Sequence, residues 1–304
     1  MSAINRRELF QLAALAAPAF WLAKTGQAQA KPELSMQALD DKLTLLSGAG
    51  GNIAILRGAN GLLMIDSGLP DLAEATEKKA MSVGAVPIAT LINTHFHFDH
   101  VGGNERLGRH GVNIVAHENV LKRLSALQKN PFFGRETPAL APEGRPKVTF
   151  TKDLALPFGG EKLACLHVAP AHTDGDATIH FTEANVYHTG DLLFNGFYPF
   201  IDYVAGGSIE GMVAGADTML GRVDTKTKII PGHGPLASKE DLRNFRAMLA
   251  DINERVSKLV AEGKTLAQAQ AAEPTKRYDE KWGKGFLKPA DFVRLLYLGK
   301  TARA

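Results

Sequence analysis

Thr94-His95-Phe96-His97-Phe98-Asp99-His100-Val101-Gly102-Gly103 places three imidazoles and a carboxylate within six residues, directly after an apolar run, 87–93, that reads as a strand. Residues two apart on an extended chain point the same way, so His95 and His97 can converge on one cation. Asp99 and His100 fall in the turn beyond and can face a second cation, at the ~3.5–4 Å separation usual for two-metal sites. Packing imidazoles around a desolvated carboxylate is costly unless a cation sits among them. Gly102-Gly103 lets the chain turn sharply, and Asn104 is placed to cap the helix that follows.

Two zinc ions need roughly seven donors if one is shared, and three further candidates stand at suitable places. His172 lies in Pro170-Ala-His-Thr-Asp-Gly-Asp176, Asp191 closes His188-Thr-Gly-Asp191, and His233 sits in Ile230-Pro-Gly-His-Gly-Pro235. Each follows an apolar run that reads as a strand. Functional side chains concentrate at such strand ends, where a rigid scaffold holds a loop.

Outward from these stretches, short apolar runs alternate with turn residues. Strands are expected at 43–46, 52–57, 62–65, 87–93, 112–116, 163–168, 177–181, 186–188 and 228–230, with a hairpin at Asn60-Gly61. Helices are expected over 70–83, from 104, over 118–128 and over 209–220. From 239 to the end the pattern is helical, with breaks near Gly263 and at 281–285. The stretch 130–146, with four prolines and two glycines, reads as a long loop without regular structure. Two strand-rich halves, each flanked by helices, predict an α/β protein with four layers and one composite core.

The set His-x-His-x-Asp-His, then a lone His, an Asp and a final His, resembles the metallo-β-lactamase superfamily, over roughly residues 43–235. The resemblance implies an αββα sandwich with the metals at the edge between the sheets and a helical C-terminal region. It assigns His95, His97 and His172 to one zinc ion, Asp99, His100 and His233 to a second, and Asp191 to both. Two Zn2+ per chain, or another divalent metal, are thus the expected cofactors. The implied chemistry is a dinuclear zinc hydrolase, in which a metal-bridging hydroxide attacks an ester, lactone, thioester or lactam carbonyl while Asp99 orients the nucleophile or carries a proton. Asp66, in Ile65-Asp-Ser-Gly68, occupies a position the family uses near the metals, and is expected to hold a ligand imidazole from behind.

The aromatic stretch 194–203, together with Phe132-Phe133, offers an apolar wall for a small acyl substrate. Phe194, Tyr198, Tyr203 and Phe132 are its candidate residues, and either tyrosine can donate to an oxyanion. The other histidines read as packing or surface positions, with His117 alone among them able to approach the pocket. Cys165 reads as a core residue. A β-lactamase is the alternative within the family. Against it, the main β-lactamase group carries Cys at the shared ligand and Lys three residues later, where this chain has Asp191 and Phe194. The alternative from another class is a non-catalytic or redox dinuclear metal protein. The redox relatives carry a flavin domain, and no glycine-rich nucleotide fingerprint appears here.

Composition narrows the partners. The 304 residues carry a net charge of +3 and are 45% hydrophobic. Beyond residue 30 the balance is 32 basic against 31 acidic groups. Nucleic-acid binders normally show a strong basic excess, so no nucleic-acid partner is expected. A single cysteine excludes an internal disulfide. Residues 1–30 combine Arg6-Arg7, an apolar stretch of about 15 residues and Ala28-Gln29-Ala30, the pattern of a cleaved export signal too short to span a bilayer. The paired arginines resemble a twin-arginine signal. The expectation is a periplasmic protein without stable membrane insertion, with a catalytic domain over 31–238 and C-terminal helices over 239–304 packed on it.

Overall fold

The structure is a computed structural model and describes residues 33–168 and 170–301; the expected export signal at 1–30 lies outside the described residues. Along the chain, β1 (Ser35–Ala38), β2 (Leu43–Ser47), β3 (Ile53–Arg57), β4 (Leu62–Ile65), β5 (Ile88–Ile92) and β6 (Asn113–His117) are followed by a small hairpin of β7 (Gln128–Asn130) and β8 (Arg135–Thr137), then by β9 (Val148–Phe150). The first sheet runs β1-β2-β3-β4-β5-β6-β9, antiparallel as far as β4 and parallel beyond it. The second contains β10 (Asp153–Phe158), β11 (Glu161–His167), β12 (Ala177–Phe181), β13 (Val186–His188) and β14 (Lys228–Ile230) in that order, with only the last pair parallel.

The layers follow from the alternation of side chains along a strand. Ala54, Leu56, Leu63 and Ile65 point from the first sheet into a core shared with Leu163, Cys165, Ile179, Phe181 and Ile230 of the second. Their neighbours Ile53, Ile55, Leu62 and Met64 point the other way, toward α1 (Ala73–Met81) and, beyond the short α2 (Phe98–Val101), α3 (Asn104–Arg109). Both faces are apolar, which is why these strands read as unbroken hydrophobic runs. α4 (Glu118–Leu124) follows β6 directly. On the far side, Tyr187 and Ile229 face α5 (Ile209–Leu220), α6 (Lys239–Ala261) and, after the short α7 (Leu266–Ala271) and α8 (Asp279–Trp282), α9 (Pro289–Thr301). The C-terminal helices thus share one core with α5, and the architecture is the four-layer αββα sandwich expected from the sequence.

Local chemistry sets the helix ends. Ser238 and Asp241 form a reciprocal capping box at the start of α6. Gly263, with φ of +71°, carries the chain out of the helix after its end, where the sequence led one to expect a break. No helix among the described residues is long and apolar enough to cross a membrane.

Two expectations need correcting, and the strand at 153–158 was not among those expected. The stretch 130–146 is not structureless: it holds most of the β7–β8 hairpin and a 3-10 turn at Pro142–Gly144. Those strands are short and largely exposed, with a Lys129–Glu136 ion pair across them, so no apolar alternation reveals them. β10 carries a period-two signal, Leu154, Leu156 and Phe158, that Pro157 obscures. Asn104 does not cap α3; it is buried within the helix, accepting from Ser67 Oγ and donating to Asn93 Oδ1 and the Gly144 carbonyl.

Leu63 is fully buried between the sheets. Leu63→Ala should destabilise the fold by about 2–5 kcal/mol, read as a lower midpoint in chemical denaturation. An unchanged midpoint would contradict the shared inter-sheet core.

Candidate metal centre

One end of the sandwich gathers the polar residues singled out in the sequence. The His motif begins two residues beyond β5, with His97 extended at φ −66° and ψ 148° before Asp99 and His100 enter α2. Asp66 follows β4, which is parallel to β5, so both strand ends open at the same edge. His172 lies between β11 and β12, Asp191 in the 3-10 turn after β13, and His233 after β14. The parallel pairing of β13 with β14 puts the last two side by side.

His95, His97, His172 and Asp191 each bring one donor atom within 4.8 Å of the others, and Asp99, His100 and His233 form a second such group. His97 Nδ1 stands 3.1 Å from His95 Nε2 and 2.8 Å from His172 Nε2. Asp191 Oδ2 is 3.4 Å from His172 Nε2, while its Oδ1 lies 3.1 Å from His100 Nε2 and 3.4 Å from His233 Nε2. One carboxylate therefore spans both groups.

Outer hydrogen bonds fix the tautomers of His95, His97, His100 and His172. The Thr94 hydroxyl donates to Asp66 Oδ2 at 2.7 Å, so it must accept from His95 Nδ1 at 3.0 Å. His100 Nδ1 donates to the same Asp66 oxygen at 2.8 Å. His172 Nδ1 donates to the Phe200 carbonyl at 2.8 Å, and His97 Nε2 to Asp202 Oδ2 at 3.0 Å. With the N–H groups of His95, His97 and His172 directed outward, the nitrogens that face one another carry bare lone pairs. Acceptors this close repel unless a cation lies between them. Their separations approach the ~3.3 Å edge of a tetrahedron built on ~2.0–2.1 Å metal–nitrogen bonds. Asp191 Oδ1 is buried without a hydrogen-bond partner among the described residues. The donor set fits divalent ions held by nitrogen and oxygen.

The electrostatics divide the two groups of histidines. Burial, reinforced by the charge of His100, holds His95 well below the usual imidazole range, and burial takes His172 down to about 4. Both rings are therefore neutral near pH 7, as ligands must be. Burial also opposes charge on His100 and His233, yet the carboxylates Asp191 and Asp99 prevail. They hold His100, with Asp66, well above its ordinary value and raise His233 to about 9. Burial pushes Asp99 and Asp191 upward, but the surrounding imidazolium charge keeps both below the usual carboxylate range.

A family model described as the metallo-beta-lactamase superfamily matches residues 46–233, more than half of the chain. The chain belongs to the metallo-beta-lactamase superfamily. The acyl-coenzyme A thioesterase MBLAC2 of Gallus gallus is 26% identical over 215 residues, covering 64% of this chain and 76% of that protein. A hydroxyacylglutathione hydrolase of Synechococcus sp. is 29% identical over 127 residues, 42% of this chain and 43% of its own. The solved metallo-beta-lactamase from Pontibacter korlensis superimposes with a TM-score of 0.60 at 19% identity, covering 72% of this chain and all of that one. That last likeness speaks to the fold alone.

In this superfamily member several supporting residues had no signal in the sequence. Asp202 orients His97 from 105 positions away. Asp176 accepts from the backbone N–H groups of His172 and Thr173 and from the Thr173 hydroxyl, fixing the loop that carries His172; burial raises its carboxyl to about 7. Asn52 ties the sheets together, donating to the carbonyls of Pro231 and Gly234 on either side of His233. Two glycines allow close approach: a Cβ on Gly51 would lie 2.3 Å from the His100 ring, and one on Gly232 2.0 Å from Asp191 Oδ1. In the sequence the glycines before Asn52 and around His233 read as turn residues, and only the fold shows the crowding that requires them.

The expected substrate wall is partly redrawn. Phe194 is buried and stacks on His233 with centroids 5.1 Å apart, and Phe132 packs near Phe200 at 5.8 Å. Tyr198 does not face the centre: it is fully buried, stacked on Phe292, with its hydroxyl donating to Asp279. Tyr203 instead packs against Gly299 of α9. His117 stacks on His167 at 3.7 Å and donates to the Thr151 carbonyl, away from the centre. Cys165 is buried, which pushes its thiol up to about 12, in keeping with a core role.

Asp202→Ala should leave the fold intact and weaken metal affinity by about 10–100-fold. Competition against a chromophoric chelator measures this. Affinity equal to that of the parent protein would remove Asp202 from the site.

Proposed function

We propose that the chain is an exported dinuclear zinc hydrolase that cleaves the acyl bond of a small molecule, a thioester or ester first of all. The observation that carries this reading is the set of bare lone pairs on His95, His97 and His172 beside Asp191, whose second oxygen is orphaned toward His100 and His233. In this reading His95, His97 and His172 would hold one ion and Asp99, His100 and His233 the other, with Asp191 available to either. A histidine-rich nitrogen and oxygen set suits zinc. Bound there, such ions would supply Lewis acidity toward water and toward a substrate carbonyl.

The remaining work belongs to the chain. Asp191 is nearly sealed, whereas the Asp99 side chain is 18% exposed, with Oδ2 3.2 Å from His233 Nε2. Asp99 is thus the carboxylate that reaches solvent, able to orient an attacking water and accept its proton. Asp66, Asp202 and the Phe200 carbonyl keep the imidazoles in the tautomers that present lone pairs inward. Phe200 beside His97 and His172, and Phe194 against His233, restrict water on the flanks. The names of the thioesterase and hydroxyacylglutathione hydrolase relatives favour an acyl substrate. For the N-terminus we carry forward the twin-arginine reading of 1–30, and with it a catalytic unit over 31–238 supported by the helices of 239–304.

Purified protein should carry about two equivalents of zinc by elemental analysis, in line with a dinuclear site. His97→Ala and Asp191→Ala should lose metal and thioester hydrolysis together, the latter by more than about a hundredfold. Turnover that survives exhaustive chelation would refute the mechanism. A lactone and a chromogenic cephalosporin run beside the thioester distinguish a β-lactamase from a broader acyl hydrolase.

Replacing Arg6 and Arg7 together by lysine should trap the precursor in the cytoplasm. Unimpaired secretion of that variant would assign export to another route.

A further inference from the structure

Two chains of rings lead outward from the centre. Phe200 lies 6.0 Å from His97, and the hairpin tip brings Phe132 and Phe133 to 5.8 and 4.9 Å from Phe200. On the other side Phe194 stacks on His233, and Phe286 lies 6.1 Å beyond it. Both chains end in a phenylalanine left in solvent: Phe133 is 49% exposed and Phe286 54%. Single exposed apolar residues are ordinary. Two that are each linked ring by ring to one polar centre mark apolar approaches to it on two sides.

Cations lie over rings of this neighbourhood. The Arg135 guanidinium lies 3.6 Å above Phe98, the residue between His97 and Asp99, and Arg294 of α9 lies 4.7 Å from the Phe132 ring. Lys284 and Lys288 flank Phe286 in sequence. Among the described residues none of these four forms an ion pair. Of the acids close by in sequence, Glu136 pairs with Lys129 and Asp202 serves His97, Asp291 accepts the Lys288 backbone N–H, and Asp99 lies against His233. A guanidinium laid on a ring keeps its N–H edges free, and those edges match a carboxylate or phosphate.

We infer that the substrate is an amphipathic anion: an acyl compound whose apolar part lies between Phe133 and Phe286 and whose carboxylate or phosphate meets Arg135 and Arg294. The inference rests on the hydrolase reading above and specifies its substrate class.

Three hexanoyl-length thioesters test it: a neutral one on N-acetylcysteamine, one on 3-mercaptopropionate, and the N-acetylcysteamine monothioester of adipate. The zinc-loaded chain should favour at least one anionic thioester over the neutral one by about tenfold or more in kcat/KM, chiefly through KM. Combining Arg135→Ala with Arg294→Ala should collapse that ratio toward one. Equal turnover of all three, or a preference that survives the double substitution, would overturn the inference while leaving the hydrolase reading standing. Calorimetry with the uncleavable thioether of 3-mercaptopropionate, against its uncharged amide, keeps the two readings separate. If no thioester is cleaved, the hydrolase reading fails for thioesters; tenfold tighter binding of the anion, lost in the double variant, would still support the anion site, and equal binding would sink it.

Discussion

The structure turns on one buried carboxylate. Asp191 spans two groups of histidines, and its charge can be kept away from water only because imidazoles surround it. An uncompensated ion in such a place would cost several kcal/mol. The rest of the site serves this arrangement: rings anchored from behind, glycines where a Cβ would collide, and loops pinned at strand ends. Asp66 is the clearest example. It holds a left-handed backbone, φ 66°, that is uncommon for a residue with a side chain. That conformation lets one carboxylate serve His100 directly and His95 through the Thr94 hydroxyl.

The sandwich supplies what such a site requires of a scaffold. Because β4 with β5, and β13 with β14, run parallel, their carboxyl ends deliver Asp66, the His motif, Asp191 and His233 to one edge. Both faces of each sheet are covered by apolar side chains, so the strands have little freedom to shift. The cost of assembling so many polar groups is carried by a dry core lying directly behind them.

The layers were legible because short apolar runs bounded by turn residues make the strands, and four of the seven candidate ligand positions because they fall in one six-residue motif; the other three stood out at strand ends. What the sequence hid was long-range. Asp202, Asp176 and Asn52 are ordinary polar residues in the primary structure, and only folding reveals that they hold His97, the His172 loop and the His233 turn. Proximity in sequence also misled. Tyr198 lies seven residues after Asp191 and was expected at the substrate wall, yet the chain between them turns it into the α8–α9 core, where Asp279 takes its hydroxyl. The hairpin at 128–137 escaped because its strands are too short and too polar to carry a pattern.

The cluster draws His95, His97, Asp99 and His100 from the first sheet and His172, Asp191 and His233 from the second. It therefore works as a vernier across the sandwich. Any slip of one sheet over the other changes the spacing between the two sets of donors at once, so the close-packed core between the sheets also holds the centre in register. Neither half of the chain holds a full set, so a fragment that kept its own sheet intact would still lack a complete centre. Asn52, bridging the sheets beside His233, is the catch that stops the slide.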